Sequence, residues 1–167
     1  MRNGRLAWTW SLVLGLCMVI PQRALAQGTS TPEERARWAE ITHKLESNPL
    51  DESVNKDGEW ALKRLSDVHD VHVPLCPSLL AEFNNPKYKY SHAITRQYML
   101  ASAAFMIENP EKAGDPNALN LAAVGSVLKV YTAILQQKSD AKSKVLDDIL
   151  KKQSQGKLDD ALRKQCR

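Results

Sequence analysis

Residues 91–110 read SHAITRQYMLASAAFMIENP, and across these positions only Arg96, near the start, and Glu108, at the end, carry a full charge. Apolar or small side chains fall on nearly every face once the stretch is wound at helical period. A helix of that kind has no polar face to give to water and must be wrapped by others. The stretch therefore predicts an all-α body with this helix at its centre, and Ala101, Ser102, Ala103 and Ala104 allow neighbouring helices to approach closely.

The segments on either side supply the wrapping. Thr31-Pro32-Glu33-Glu34 combines an N-cap, a proline at the first helical position and a capping-box glutamate, and Trp38, Ile41 and Leu45 follow at helical spacing. This predicts a first helix from Pro32 to about Glu46. Asn48-Pro49 interrupts, and Val54, Gly58, Ala61, Leu62, Leu65 and Val68 line one face of a second helix beginning near Asp51. Gly58 on that face costs about 1 kcal/mol of helix propensity relative to alanine, which predicts close approach of a neighbouring backbone.

Pro77 opens a short helix with Leu79, Leu80 and Phe83, closed by Asn85-Pro86. Downstream of the central segment, Asp115-Pro116 caps a helix in which Leu121, Val124, Leu128, Tyr131 and Leu135 recur at intervals of three and four. Asp140-Ala141 is read as the start of the next, stopped by Gly156, and Leu158, Leu162 and Cys166 share a face of the last. The expectation is a single irregular bundle of six or seven helices in antiparallel pairs over residues 27–167. No repeat of about 34 residues, the period of common helix-pair arrays, divides it.

Residues 1–26, MRNGRLAWTWSLVLGLCMVIPQRALA, have a basic start, an apolar stretch from Leu6 to Ile20, and Ala24-Leu25-Ala26 after a proline. That is the build of a secretory signal peptide cleaved before Gln27. The apolar stretch falls short of the roughly 20 residues that a bilayer-spanning helix requires, so no permanent membrane anchor is expected. Export to the periplasm or the extracellular space follows.

Cleavage takes Arg2, Arg5 and Arg23 from the chain's 23 basic residues, leaving 20 against 19 acidic ones. A formal charge of +1 provides no field to attract nucleic acid, despite the isoelectric point near 9.0 of the full sequence. Cleavage also removes Cys17. Cys76 and Cys166 are then the only two cysteines in an oxidising compartment, and a disulfide between them is expected. Closing a loop of about 91 residues stabilises a fold by roughly 4 to 5 kcal/mol in the loop-entropy argument.

Two of the chain's four histidines lie in SDVHDVHVPLC, residues 66–76. On a helix, His69 and His72 share a face and could bind zinc together, with Asp67 or Asp70 beside them. Pro74 favours an extended Val73, and Val71-His72-Val73 alternates as a strand-like segment does, so the chain is read as leaving the helix near His69. The two rings then point apart. A zinc site would also need a third ligand from His43, His92, a distant carboxylate or Cys76, so His69 and His72 stand as a metal alternative and no cofactor is expected.

Catalytic signatures are sparse. The seven glycines are too scattered for a phosphate-cradling loop. Ser126 follows Gly125 but lacks the second glycine of a nucleophile elbow and is read as a packing residue. Glu108 closes an apolar helix, a place from which a carboxyl of raised pKa can act as a general acid, but no second carboxylate is positioned by sequence. Lys87-Tyr88-Lys89-Tyr90 could stack on sugars or bases, though two tyrosines there more simply cover the first turn of the following helix.

By elimination, the sequence points to an exported, non-catalytic helical protein that binds another protein or a peptide in a groove between helices. One alternative is a small metal-dependent protein or hydrolase using His69, His72, His92 or Glu108. Another is a carrier of a small apolar ligand, which requires a large internal cavity.

Overall fold

The computed structural model describes residues 28–166; the signal peptide expected over residues 1–26 lies outside them. Among the described residues there are seven α-helices and no strand: α1 (Pro32–Ser47), α2 (Glu52–Asp67), α3 (Pro77–Phe83), α4 (Ser91–Glu108), α5 (Pro116–Gln137), α6 (Lys144–Ser154) and α7 (Leu158–Gln165), with a 3₁₀ turn at Pro110–Lys112.

The caps explain most of the boundaries. Thr31 Oγ1 accepts from the Glu34 amide at 3.2 Å while the Thr31 amide donates to Glu34 Oε2 at 2.9 Å, closing the expected capping box of α1. Asp51 and Asp115 cap α2 and α5 by accepting from backbone amides. The expected start of α6 at Asp140 is corrected. Ser143 is the N-cap and α6 begins at Lys144, while Ala141 is buried in the loop before it, where its carbonyl accepts from Tyr88 Oη at 3.0 Å. An apolar residue at the edge of the helical pattern was anchoring a loop.

α4 and α5 form the central antiparallel pair. α3, α6 and α7 pack on one flank, building a cluster that includes Leu79, Phe83, Tyr98, Val127, Tyr131 and Leu162. On the other flank α1 and α2 enclose Trp38, Ile41, Leu45, Ala61 and Leu100. By length and composition α5 could cross a membrane, but its apolar residues Leu119, Ala123, Val127, Tyr131 and Ile134 are buried in this core.

Tyr98 connects three parts of the molecule. It is 0 % exposed, its hydroxyl donates to Asn120 Oδ1 at 2.7 Å on α5, and it accepts from the Cys76 amide at 3.0 Å. Its ring meets Phe83 edge-on with centroids 5.4 Å apart. Burial raises the Tyr98 pKa above the ordinary phenol value, with the hydrogen bond from Cys76 opposing, so the group stays a neutral donor. Next to it, Cys76 and Cys166 are joined in the expected disulfide, with Cα atoms 5.3 Å apart and 90 positions between them in sequence. Ser78 Oγ donates to the Gln165 carbonyl at 2.8 Å beside the bridge.

Gly58 is closely packed, but by side chains where a neighbouring backbone was expected. A Cβ there would stand 3.1 Å from Nε and Cζ of Arg96 and 3.1 Å from Leu45 Cδ1. Arg96, 3 % exposed, lies across α2 and is held by Glu59, Asn55 Oδ1 and the Asn55 carbonyl. These acceptors replace the water of both terminal nitrogens of the buried guanidinium, while its Nε has no hydrogen-bond partner among the described residues.

Two substitutions test this core. Tyr98→Phe leaves the Cys76 amide and Asn120 Oδ1 without their shared partner, and urea denaturation is expected to show a loss of about 1–3 kcal/mol. Cys166→Ser, or reduction of the wild type, should lower stability by roughly 2–5 kcal/mol. An unchanged melting temperature under reductant would remove the bridge as a stabilising element.

Candidate functional site

The histidine-rich stretch lies where α2 gives way to extended chain. α2 ends at Asp67, and Val68 is extended with ψ 152°. The His69 amide donates to the Gly28 carbonyl at 2.7 Å, pinning the first described residues across the helix exit. Asp70 accepts from the Ser30 amide at 2.9 Å, the Ser30 hydroxyl at 2.9 Å and the Arg35 guanidinium at 2.8 Å. Desolvation opposes ionisation of Asp70, but these bonds, led by the one from Arg35, together hold its carboxyl down at about 2. Half-buried Val71, Val73 and Leu75 then alternate with exposed His72 and Pro74, as extended backbone dictates.

The expected candidates do not gather there. Cys76 is taken by the disulfide, and His92, on the first turn of α4, lies 3.6 Å from Glu59. Among the described residues, no three His, Cys, Asp or Glu side chains are grouped as a metal ion would need. Of the Lys87–Tyr90 run, the two tyrosines stack edge-on at 5.8 Å and Lys89 lies over the Tyr90 ring, just ahead of the first turn of α4.

Glu108 instead belongs to a groove of about 770 Å³ formed by α1, α4 and α5, with Leu150 and Gln153 of α6 at its border. Small residues contribute much of the lining: Ala101 and Ala104 from α4, Ala122 and Gly125 from α5. They recur at intervals of three, so each pair shares one helix face; Ala101 and Ala104 are buried there, while Ala122 and Gly125 are half-buried. Phe105 adds apolar surface beside the buried Leu128, and polar side chains complete the lining, among them His43, Glu46, Glu108, Ser126 and Lys129.

Those five form a connected network. His43 Nε2 is 2.8 Å from Glu108 Oε1, and His43 Nδ1 is 3.6 Å from Glu46 Oε2. Glu46, whose side chain is 11 % exposed, also accepts from the Ser126 hydroxyl at 2.7 Å and the Lys129 ammonium at 2.8 Å. Beneath them the buried Gln97 amide donates to Ser126 Oγ at 2.7 Å and to the Thr42 carbonyl at 3.1 Å. Ser126 is thus more than the packing residue its sequence neighbours suggested. Its proton is committed to a carboxylate, and His43 engages the two glutamates, so the arrangement is a polar ladder and not a serine–histidine pair.

Glu108 likewise has a specific partner at its helix end. Its hydrogen bond raises the His43 pKa above the usual histidine value, with partial desolvation opposing and the Glu108 and Glu46 charges adding to the rise. His43 and Glu46 had no sequence signal tying them to Glu108, which is 65 positions from His43. Their spacing of three on α1 was the one available clue.

Because the folded pKa of His43 is raised, the pair's stabilisation is fully present below about pH 6.5, the unfolded histidine value, and is lost as pH rises through the folded pKa. The His43 side chain is 53 % exposed, which limits the effect to about 1 kcal/mol or less. Glu108→Gln is expected to return the His43 titration, followed by NMR, toward the free value and to shrink the stability difference between acid and neutral pH. A His43 midpoint that does not move would break the assignment of the pair.

Comparison with profiles of known protein families, with curated proteins and with solved structures gave no match.

Proposed function

We propose that the chain is exported through a cleaved signal peptide to the periplasm or the extracellular space, and that it acts there as a non-catalytic binding module. On this reading a helical segment of a partner protein or peptide lies in the groove between α1, α4 and α5. The paired cysteines suit an oxidising compartment.

The observation that carries the reading is Gly125. It occupies the middle of a 22-residue helix, where glycine costs about 1 kcal/mol relative to alanine. Packing does not require it: a Cβ at Gly125 would meet nothing within 4 Å, in contrast to Gly58. Its backbone is left bare on the groove wall, beside Ala122 and opposite the alanines of α4. A bare helix backbone is useful where a second backbone must approach closely, and on this reading the approaching surface comes from another molecule.

The groove's length fits such an occupant. From Ala122 to Gln136 the lining of α5 covers about 21 Å at 1.5 Å per residue, the length of roughly four turns of a docked helix.

Gly125 also supplies the test, because substitution there should not harm the fold. Gly125→Ala is expected to raise stability by up to about 1 kcal/mol in urea denaturation. Gly125→Phe should retain the wild-type circular dichroism and melting behaviour while filling the groove. When the immobilised proteins are exposed to material from the native compartment, a partner held by the wild type should be missing from the Gly125→Phe sample. Identical retention by both would reject the groove as the binding surface.

A further inference from the structure

The two carboxylates of the groove stand where helix electrostatics disfavour them. Glu108 is the last residue of α4, and Glu46 precedes only Ser47 in α1. At a helix C-terminus the unpaired carbonyls already carry partial negative charge, and acidic side chains there are destabilising by a few tenths of a kcal/mol or more. Two such ends, each with its own glutamate, are brought together by His43 at one edge of the groove. Their convergence concentrates negative potential there, which His43 and Lys129 only partly offset.

The charges facing this point can be enumerated. α1 contributes His43 and Glu46, α4 contributes Glu108, α5 contributes Lys129, and α6 borders the groove with the uncharged Leu150 and Gln153. Lys129 offsets Glu46. Glu108, with a side chain 41 % exposed, is bonded only through Oε1 and only to His43 among the described residues. With His43 neutral the groove lining therefore has one uncompensated negative charge.

We propose that this edge of the groove is a cation-docking point: a lysine or arginine side chain of the bound helical segment seats against Glu108 and Glu46, in the place that His43 occupies in the free protein. This rests on the groove reading above and adds the chemistry of the occupant. Its pH dependence follows from the displacement. Below the pKa of His43 the imidazolium neutralises Glu108 and must be removed before the ligand's cation can bind. Above it the neutral ring yields more readily, so affinity for a basic segment tightens as pH rises through the His43 pKa, well above the range near pH 4 in which protonation of the glutamates would itself weaken cation binding.

The test uses the full mature protein and a set of blocked, fluorescein-labelled helical peptides of about 15 residues, a length matched to the groove, identical except for Lys, Gln or Glu at one central position. Anisotropy titrations between about pH 5 and pH 8 are expected to show the Lys peptide binding about three- to fivefold more tightly than the Gln peptide at the upper end, with the advantage shrinking toward the lower. His43→Gln should flatten that pH profile while preserving the preference for Lys, and Glu108→Gln should abolish the preference.

The outcomes separate cleanly. Peptides that bind the wild type and lose binding in Gly125→Phe, but with no preference for Lys over Gln and Glu, would overturn the cation inference and leave the groove reading intact. Binding of the Lys peptide that persists unchanged in Gly125→Phe would place the contact elsewhere and overturn the inference too. Failure of every peptide to bind would count against both.

Discussion

One buried hydroxyl organises the centre of this protein. Tyr98 donates across to α5 and receives the amide of the cysteine that starts α3, so helix–helix packing and the covalent bridge are fixed relative to each other by the same oxygen. An apolar contact would tolerate sliding along the α4–α5 seam, whereas two directional bonds fully shielded from water do not. The core on the α3, α6 and α7 side grows from that register, with Phe83 against the Tyr98 ring. Tyr131 plays a related part farther along α5. Its hydroxyl is bonded to Asp147 and the Ser143 amide, and burial, with Asp147, pushes its pKa up to about 12.

The opposite side of α4 is organised differently. Near its start, Arg96 lies sunk against Gly58 with its charge answered by Asn55 and Glu59. Toward its end, the alanine stripe leads to Glu108 and the open groove. One helix therefore has a closed, ionically fastened half and an open half lined by small side chains. The glycine that faces the closed half, Gly58 of α2, is crowded by Arg96 and Leu45, whereas a Cβ at Gly125 of α5, on the open side, would meet nothing within 4 Å.

Much of this architecture was legible in the sequence, for local reasons. Thr31, Asp51 and Asp115 fix helix starts through side-chain bonds a few residues away, and prolines and asparagines mark the ends. The bare apolar character of residues 91–110 identified the central helix because no arrangement on a surface could have hidden it. The disulfide was readable by counting once Cys17 was assigned to the expected signal peptide, since the two remaining thiols admit one pairing. The polar network was not. His43, Glu46, Ser126 and Lys129 each resemble ordinary helix-surface residues, and only the crossing of α1 over α4 and α5 brings them together. The start of α6 was missed because Ala141 fits the helical pattern while serving a loop, and the occupant of the space at Gly58 was missed because a charged Arg96 is not expected to be buried.

The bridge between Cys76 and Cys166 encloses more than half of the chain, including α3 to α7 and every loop between them. A protease that nicks any of those loops, for instance the exposed turn around Gly114, would leave two polypeptides that stay covalently attached. The severed pieces would also remain docked along the α4–α5 seam. One such cut would leave the molecule in a single covalent piece, and the damage would show only after its sulfur link was opened; a second cut inside the loop would free the segment between the two.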